Sequence, residues 1–192
     1  MLYQILGAAI LLAFYACYFL KMLSQRKKGI QTDQMGRGKS GSARAIEITM
    51  KVATYLAPAV EAASILLGAT ALPGGLRILG ACAGIAGVAV FVVSMVTMRD
   101  SWRAGVAEAD ETELITNGIY RISRNPAFLG FDLVYAGILL MFFNWPLLAA
   151  SLFAGAMLHI QIVKVEEVFL QSAFGDAYLE YKGKVCRYIG RK

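Results

Sequence analysis

The sequence has few of the residues that bind a catalytic metal. It contains one histidine, His159, and three cysteines, Cys17, Cys82 and Cys186, which lie far apart. Zinc sites take their ligands from sets of closely spaced histidines and cysteines. Most zinc hydrolases are therefore excluded, and we expect no metal site.

Charged residues are scarce as well. They make up 17% of the 192 residues, whereas 58% are apolar, which is too hydrophobic for an ordinary soluble domain. A membrane crossing needs about 20 mostly apolar residues. Apolar runs of this length or slightly shorter cover residues 2–22, 50–71, 75–98, 127–143 and 146–163. The sequence therefore predicts an all-α membrane bundle of about five transmembrane helices, formed by a single domain over residues 1–192.

Two of the breaks between these runs are short and contain proline, which cannot continue a helix. Leu72 to Gly75 separates the second run from the third, and Asn144 to Pro146 separates the fourth from the fifth. Each break predicts a helical hairpin. In a hairpin of the last two helices, residues just before the fourth helix lie beside residues just after the fifth.

The basic residues are distributed unevenly between the connections. Eight lysines and arginines lie in residues 21–51, four in 99–124 and six in 164–192, and the remaining one is Arg77. Cytoplasmic loops near membrane helices retain lysine and arginine. We therefore expect the N-terminus outside and the C-terminus in the cytoplasm. The net charge of +6 then reflects topology and contact with membrane lipids, and nucleic-acid binding is not expected.

Residues 1–98 are predicted to contain three N-terminal helices and a basic mobile loop at 24–43, which is rich in glycine, serine, lysine and arginine. Gly38, Lys39 and Ser40 resemble the end of a phosphate-binding loop. That motif also requires a preceding strand and a glycine where this chain has Asp33. A phosphate-binding loop is therefore not predicted.

Two groups of polar residues flank the predicted fourth and fifth helices. Arg124 lies just before the fourth helix, and the adjacent carboxylates Glu166 and Glu167 lie just after the fifth. Because a hairpin joins these helices, the arginine and the glutamates are predicted to share one neighbourhood. This arrangement is compatible with a ligand site and equally with structural salt bridges.

The C-terminal half, residues 99–192, resembles a known family. The resemblance to the isoprenylcysteine carboxyl methyltransferase and phospholipid methyltransferase superfamily covers roughly residues 100–188. The matching residues are Leu114-Ile115-Thr116-Asn117-Gly118-Ile119-Tyr120, Arg124-Asn125-Pro126-Ala127-Phe128-Leu129-Gly130, Glu166-Glu167, Leu170, Phe174-Gly175 and Tyr178-Leu179-Glu180-Tyr181. The resemblance implies methyl transfer from S-adenosylmethionine to a lipophilic acceptor at the cytoplasmic face.

The resemblance also implies a site. The cofactor pocket would form between the loop before the fourth helix and the C-terminal tail, with Phe174 to Tyr188 folding over it. Catalysis would involve Arg124, Glu166 and Glu167. The implied cofactor-binding residues are Gly118, Tyr120, Arg124, Asn125, Pro126, Gly130, Glu166, Glu167 and Tyr178.

The acceptor remains open between two chemistries. A carboxylate is already ionised at neutral pH and could be held by Arg124, whereas an amine must lose a proton, for which Glu167 is a candidate base. The family's carboxyl methyltransferases typically carry histidine where this chain has Asn125. Two other functions also remain open, an NADPH-dependent membrane lipid reductase and a non-catalytic membrane interaction protein.

Three ionisable residues lie within the apolar runs, where such groups are often functional. Glu61 could line a lipid cavity or bind a neighbouring helix. Asp132 could contact Arg124 or meet water at the interface. His159 lies on the same helical face as Glu166 or is a packed interfacial residue.

Overall fold

The computed structural model describes residues 1–106 and 113–192, and within these ranges the chain is helical. A 3₁₀-helix, Gly118–Arg121, precedes α4, and a π-helical turn, Ile162–Glu166, joins α5 to α6. The α-helices are α1 (Leu2–Lys27), α2 (Gly41–Leu67), α3 (Gly74–Met98), α4 (Pro126–Met141), α5 (Trp145–Gln161) and α6 (Glu167–Lys184).

The helices have the length and composition of membrane spans. Among the described residues, four stretches are long and apolar enough to cross a membrane: Leu2–Lys27, Gly41–Leu67, Gly74–Ser101 and Trp145–Lys184. The shorter α4 is also apolar, and its 16 residues extend about 24 Å at 1.5 Å per residue. The predicted all-α membrane bundle is confirmed.

Both predicted turns are present, but only the second joins helices that are in clear contact, and α4 packs mainly against α3 and α5 mainly against α2. At the second turn Asn144 caps α5 by accepting a hydrogen bond from the Leu147 amide at 2.9 Å, and α4 and α5 are in contact. At the first turn the helices diverge, because α2 packs mainly against α5 and α3 mainly against α4. The predicted turn between α2 and α3 is therefore present, but the prediction that these two helices pack against each other is wrong.

Glycines explain why α3 pairs with α4. A Cβ atom on Gly137 would lie 2.6 Å from the Gly84 amide nitrogen, and one on Gly80 would lie 2.6 Å from the Gly137 carbonyl oxygen. Gly87 and Gly130 meet in the same way nearer the start of α4. Without side chains the two backbones approach closely, which is a common way for membrane helices to associate. This contact fixes the position of α4, which begins at the candidate site.

The basic loop predicted at 24–43 is shorter than expected and has specific contacts. Because α1 continues to Lys27 and α2 starts at Gly41, residues 28–40 form the connection. The Gln34 amide donates to the Ala104 carbonyl at 2.8 Å, and the Ala104 amide donates to the Thr32 carbonyl at 2.9 Å. The connection is therefore joined to the segment that follows α3.

The chain also remains helical beyond the expected end of the fifth helix. The π-helical turn contains Glu166, and α6 starts at Glu167. At Gly175 the backbone leaves helical geometry with φ of 50°, a conformation that glycine adopts without a Cβ clash. This kink changes the direction of α6 before Tyr178.

Candidate functional site

The core of the candidate site is the guanidinium group of Arg124, which lies immediately before α4 and is buried. It donates a hydrogen bond from Nη1 to the Tyr178 hydroxyl at 2.8 Å. Its Nη2 lies 3.1 Å from a carboxylate oxygen of Glu167. The remaining donor, Nε, is buried with no hydrogen-bond partner among the described residues. A buried donor of this kind can donate a hydrogen bond to an acceptor on a ligand, such as a carboxylate.

The C-terminal tail holds this segment in place. The Arg124 amide donates to the Cys186 carbonyl at 3.1 Å, and the Gly190 amide donates to the Ile122 carbonyl at 2.8 Å. The Asn125 side-chain amide donates to the Arg187 carbonyl at 3.0 Å. Asn125 therefore uses its side-chain amide to bind the tail.

Glu167 is surrounded by three cations. Besides Arg124, Arg187 Nε lies 2.7 Å from one carboxylate oxygen and Lys182 Nζ lies 3.2 Å from the other. Burial by itself would raise the pKa of Glu167, but the hydrogen bonds from Arg187 and Lys182 and the charge of Arg124 lower it to about 2. The carboxylate is thus permanently ionised and holds Arg124, while the three cations leave an excess of positive charge.

Glu166 has a different environment, although it is adjacent in the chain. Its carboxylate makes no hydrogen bond or ion pair among the described residues and lines a cavity. Burial and the negative charges of Glu47 and Glu167 raise its pKa to about 7, against the opposing charge of Lys39. This carboxyl can therefore exchange a proton near neutral pH.

A cavity of about 120 Å³ lies between Arg124 and Glu166, and we refer to it as the site cavity. Its wall comes from the end of α3, the segments before α4, the start of α4, the π-helical turn and α6. The lining residues are Met98, Trp102, Arg103, Glu113, Leu114, Ile115, Tyr120, Arg124, Asn125, Ala127, Phe128, Glu166, Leu170, Tyr178 and Tyr181.

The site cavity adjoins a much larger polar cleft of about 1020 Å³. The two share Met98, Arg103, Glu113 and Ile115 in their walls. The polar cleft continues past Val96, Asp100 and Asn117 to Gly29 at the end of α1. A ligand too large for the site cavity can therefore extend into the cleft.

Five of the predicted site residues line the site cavity and four do not. Tyr120, Arg124, Asn125, Glu166 and Tyr178 form part of its wall. The four outside the wall are Gly118, Pro126, Gly130 and Glu167. Gly118 lies against Thr97 and Gly130 packs against Phe91. Pro126 is in the first turn of α4, and Glu167 contacts its three cations.

Sequence reasoning missed several contributors to the site. Trp102, Tyr181 and Leu170 line the cavity, and Arg187 and Lys182 hold Glu167. The tyrosine and the leucine belong to the C-terminal pattern that carries the resemblance, which was a usable signal. Nothing in the sequence near Arg187 or Lys182 distinguishes them from other basic residues of a cytoplasmic tail.

Next to the site cavity lies an apolar groove of about 240 Å³ between α1, α2 and α4. Both cavities are bordered by Trp102, Arg103, Ala127 and Phe128, which form a shared wall. The other residues of the groove are Tyr15, Tyr18, Phe19, Met35, Met50, Thr54, Tyr55, Pro58, Ala104, Gly105, Phe131 and Leu158.

A buried ion pair supports the segment that forms this shared wall. The Nζ atom of Lys39 lies 2.6 Å from Oε1 of Glu47, and the two side chains are 2% and 0% exposed. Glu47 also accepts hydrogen bonds from the Val106 amide at 3.2 Å and from the Gln161 side chain at 3.1 Å. The pair therefore connects residues 102–106, α2 and α5. The residue that invited a phosphate-loop interpretation, Lys39, has a structural partner.

Two of the three ionisable residues of the apolar runs have positions away from Arg124. His159 Nδ1 lies 2.7 Å from the Tyr188 hydroxyl, and the two rings are stacked. Asp132 faces Gly155 of α5, and the carboxylate beside Arg124 belongs to Glu167. Neither residue lines the site cavity.

Comparison with known proteins identifies a family. Residues 76–177 match the family described as PEMT, phospholipid methyltransferase. The matched region begins in α3 and ends in α6, and it contains every described residue that lines the site cavity except Tyr178 and Tyr181. None of the curated proteins matches the chain.

Proposed function

Because the chain belongs to the phospholipid methyltransferase family, we propose that it transfers a methyl group from S-adenosylmethionine to a lipophilic acceptor. The observation that carries the proposal is that a guanidinium and a carboxyl group, those of Arg124 and Glu166, belong to residues that line the same cavity. S-adenosylmethionine supplies an electrophilic methyl group on a sulfonium. The residues of the chain bind, orient and desolvate the reactants.

The residues of the site cavity suit the amino-acid end of this cofactor. The unpartnered Nε of Arg124 and the excess positive charge around Glu167 favour a carboxylate. The Glu166 carboxylate is oriented into the cavity and favours an ammonium group. Because the site cavity holds about 120 Å³, the nucleoside end would extend into the polar cleft.

The two adjacent glutamates have separate roles in this proposal. Glu167, with its pKa near 2 and its three cations, is a poor base and instead positions Arg124. Glu166, with its pKa near 7, can accept a proton from an amine. If the acceptor is an amine, the base is therefore Glu166 and not Glu167.

The acceptor would reach the site through the apolar groove. The groove is lined by aromatic and aliphatic side chains and meets the site cavity at Ala127 and Phe128. A lipophilic chain in the groove would place its polar end at this shared wall. Trp102 and Phe128 of this wall would exclude water from the place where the two reactants meet.

The distribution of basic residues supports a cytoplasmic site. Six of the nineteen lysines and arginines follow residue 163, on the side where the site cavity lies, and Arg77 is at the opposite end of the bundle. The positive-inside rule then orients the N-terminus outward and the C-terminus inward. S-adenosylmethionine would enter from the cytoplasm and the acceptor from the membrane.

Calorimetric binding of S-adenosylhomocysteine to the detergent-purified protein tests the proposal. We expect saturable binding by the wild type. In Arg124→Ala and Glu166→Gln we expect the affinity to fall about 10- to 100-fold, because each removes a charge-assisted hydrogen bond. Arg121→Ala is the matched control, because Arg121 is an exposed arginine three residues away.

The thermal transition of each variant shows whether it is folded, and Arg124→Lys retains the charge should the alanine variant fail to fold. A folded wild type that binds no S-adenosylhomocysteine would overturn the proposal. In that case NADPH is the ligand to test, since the reductase reading requires it.

The affinity for S-adenosylhomocysteine is expected to depend on pH through Glu166. Because the pKa of Glu166 is about 7, its carboxylate is mostly protonated at pH 6 and mostly ionised at pH 8. The ionised form attracts the ligand ammonium, so affinity rises with pH across this window. Titrations at pH 6, 7 and 8 should show this rise in the wild type and none in Glu166→Gln. An equal rise in both proteins would assign the effect to another group.

A further inference from the structure

Three polar side chains lie buried together in the membrane-spanning part of the bundle, outside the site cavity. They are Tyr15 of α1, Glu61 of α2 and Tyr135 of α4, and the side chains of Glu61 and Tyr135 are 0% and 2% exposed. Neither Glu61 oxygen has a hydrogen-bond partner among the described residues. The two tyrosine hydroxyls interact with each other but make no hydrogen bond of ordinary geometry there. The three are close enough to interact electrostatically, and we refer to them as the buried triad.

The buried triad lies at the inner end of the apolar groove. On α4, Ala127 and Phe131 line the groove, and Tyr135 follows at the same spacing of four residues, which places it on the same helical face. On α1, Tyr15 itself lines the groove next to Tyr18. On two of the three helices around the groove, α1 and α4, the face that lines the groove therefore also carries a triad residue.

The third helix shows the same arrangement. Met50, Thr54 and Pro58 of α2 line the groove at intervals of four residues, and Glu61 follows three residues later on this face. Along these helices the face that lines the groove continues from the shared wall to the buried triad. Tyr15 lines the groove itself, and Glu61 and Tyr135 lie one turn beyond its lining residues. Along α4, the eight residues from Ala127 to Tyr135 correspond to about 12 Å.

The chemistry of the buried triad indicates what it binds. Burial without a cationic partner disfavours an ionised carboxylate, so the neutral acid is the stable form of Glu61. A neutral carboxyl and two phenols provide three O–H donors around one place in an apolar environment. In the structure no described residue accepts a hydrogen bond of ordinary geometry from any of the three O–H groups. A ligand oxygen would supply an acceptor, whereas a saturated hydrocarbon chain would not.

We propose that the buried triad binds an oxygen atom, in a hydroxyl, carbonyl or ether group, on the hydrophobic part of the acceptor about 12 Å from the end that is methylated. The inference rests on the proposed function, because the groove is taken as the acceptor site. It makes Glu61, Tyr15 and Tyr135 specificity-determining residues. The preferred acceptor is then an oxygenated lipid and not a plain hydrocarbon chain.

Two probes that differ in one oxygen test the proposal, decanoic acid and 10-hydroxydecanoic acid. Their binding to the detergent-purified protein is followed by the fluorescence of Trp102 in the groove wall, in a Trp145→Phe background. The measured quantity is the ratio of the two dissociation constants. Comparing this ratio between variants cancels any difference in how the two acids partition into detergent.

We expect the ratio to favour the hydroxy acid in the wild type and to fall about tenfold, the value of one buried hydrogen bond, in Glu61→Met and in Tyr135→Phe. Tyr18→Phe, which removes a hydroxyl elsewhere in the groove, is the control and should keep the wild-type ratio. A ratio that is the same in the wild type and in both triad variants would overturn the proposal, since the triad would then hold only water or its own members.

S-adenosylhomocysteine binding separates this inference from the proposed function. The three variants should bind it like the wild type, because none of the substituted residues lines the site cavity. Retained cofactor binding with an unchanged probe ratio would refute the triad site alone. If the folded wild type bound no S-adenosylhomocysteine, the methyltransferase assignment would be refuted. The ratio of the two dissociation constants would still show whether the triad binds an oxygen atom.

Discussion

Glu47→Leu is expected to destabilise the folded protein by about 3–5 kcal/mol, because it leaves the buried ammonium of Lys39 without its counter-ion. The pair has side chains that are 2% and 0% exposed, so water cannot replace the lost carboxylate. Glu47 also accepts hydrogen bonds from Val106 and Gln161. The substitution therefore releases the segment of the shared wall as well.

The measurement is the thermal transition of the detergent-purified protein. For a chain of this size, 3–5 kcal/mol corresponds to a decrease of about 6–20 °C. Lys39→Met combined with Glu47→Leu should restore much of the loss, because a buried ion pair replaced by apolar groups of similar volume is often neutral.

The matched control is the exposed pair of Lys28 and Asp100, whose side chains are 54% and 51% exposed. Lys28→Met should change stability by less than about 1 kcal/mol. A double variant as unstable as Glu47→Leu alone would contradict the explanation. It would show that the hydrogen bonds of Glu47, and not the unpaired charge of Lys39, determine the loss.

Gly137→Val is the second substitution with a large expected effect, because it separates α3 from α4. A Cβ atom on Gly137 would lie 2.6 Å from the Gly84 amide nitrogen and 2.7 Å from the Gly80 carbonyl oxygen. Both atoms belong to backbone and cannot turn aside as a side chain can. Overpacking costs typically about 1–3 kcal/mol, and a clash with two backbone atoms of a helix is at the upper end of this range.

Gly155→Val is the matched control, since it places the same side chain on α5. The nearest atom to a Cβ there is an Asp132 carboxylate oxygen at 3.4 Å, which is close to ordinary contact. Thermal transitions and the yield of monodisperse protein measure both variants. If the two valine variants proved equally stable, close packing of the glycines would not be what holds α3 to α4.

The sequence was sufficient to predict the class of fold and most of the helices. Apolar runs separated by proline-containing breaks predicted the membrane helices, because a bilayer core excludes unpaired backbone polar groups. Pro126 and Asn144 marked the starts of α4 and α5, where the structure has them. Arg124 and Glu166 were predicted to share one neighbourhood, and they line the same cavity.

The sequence did not predict which helices pack together in the first half. The short turn after α2 suggested a hairpin with α3, whereas α2 packs mainly against α5. In a membrane all the apolar faces are similar, so hydrophobicity does not choose the partner. The glycines that decide it lie on α3 and α4, far apart in the chain, and their match is visible only when the helices are in contact.

The resemblance in residues 100–188 was sufficient to indicate the family, but tertiary structure alone decides the surroundings of each glutamate. Adjacent residues of a helix point in directions about 100° apart, so Glu166 faces the site cavity while Glu167 faces away from it. Two of the three cations beside Glu167 come from the C-terminal tail and the third is Arg124, whereas charges near Glu166 come from Glu47 and Lys39. The pKa of a side chain depends on the charges near it in space. These charges belong to residues far away in the sequence, so the sequence alone does not reveal which of them are neighbours.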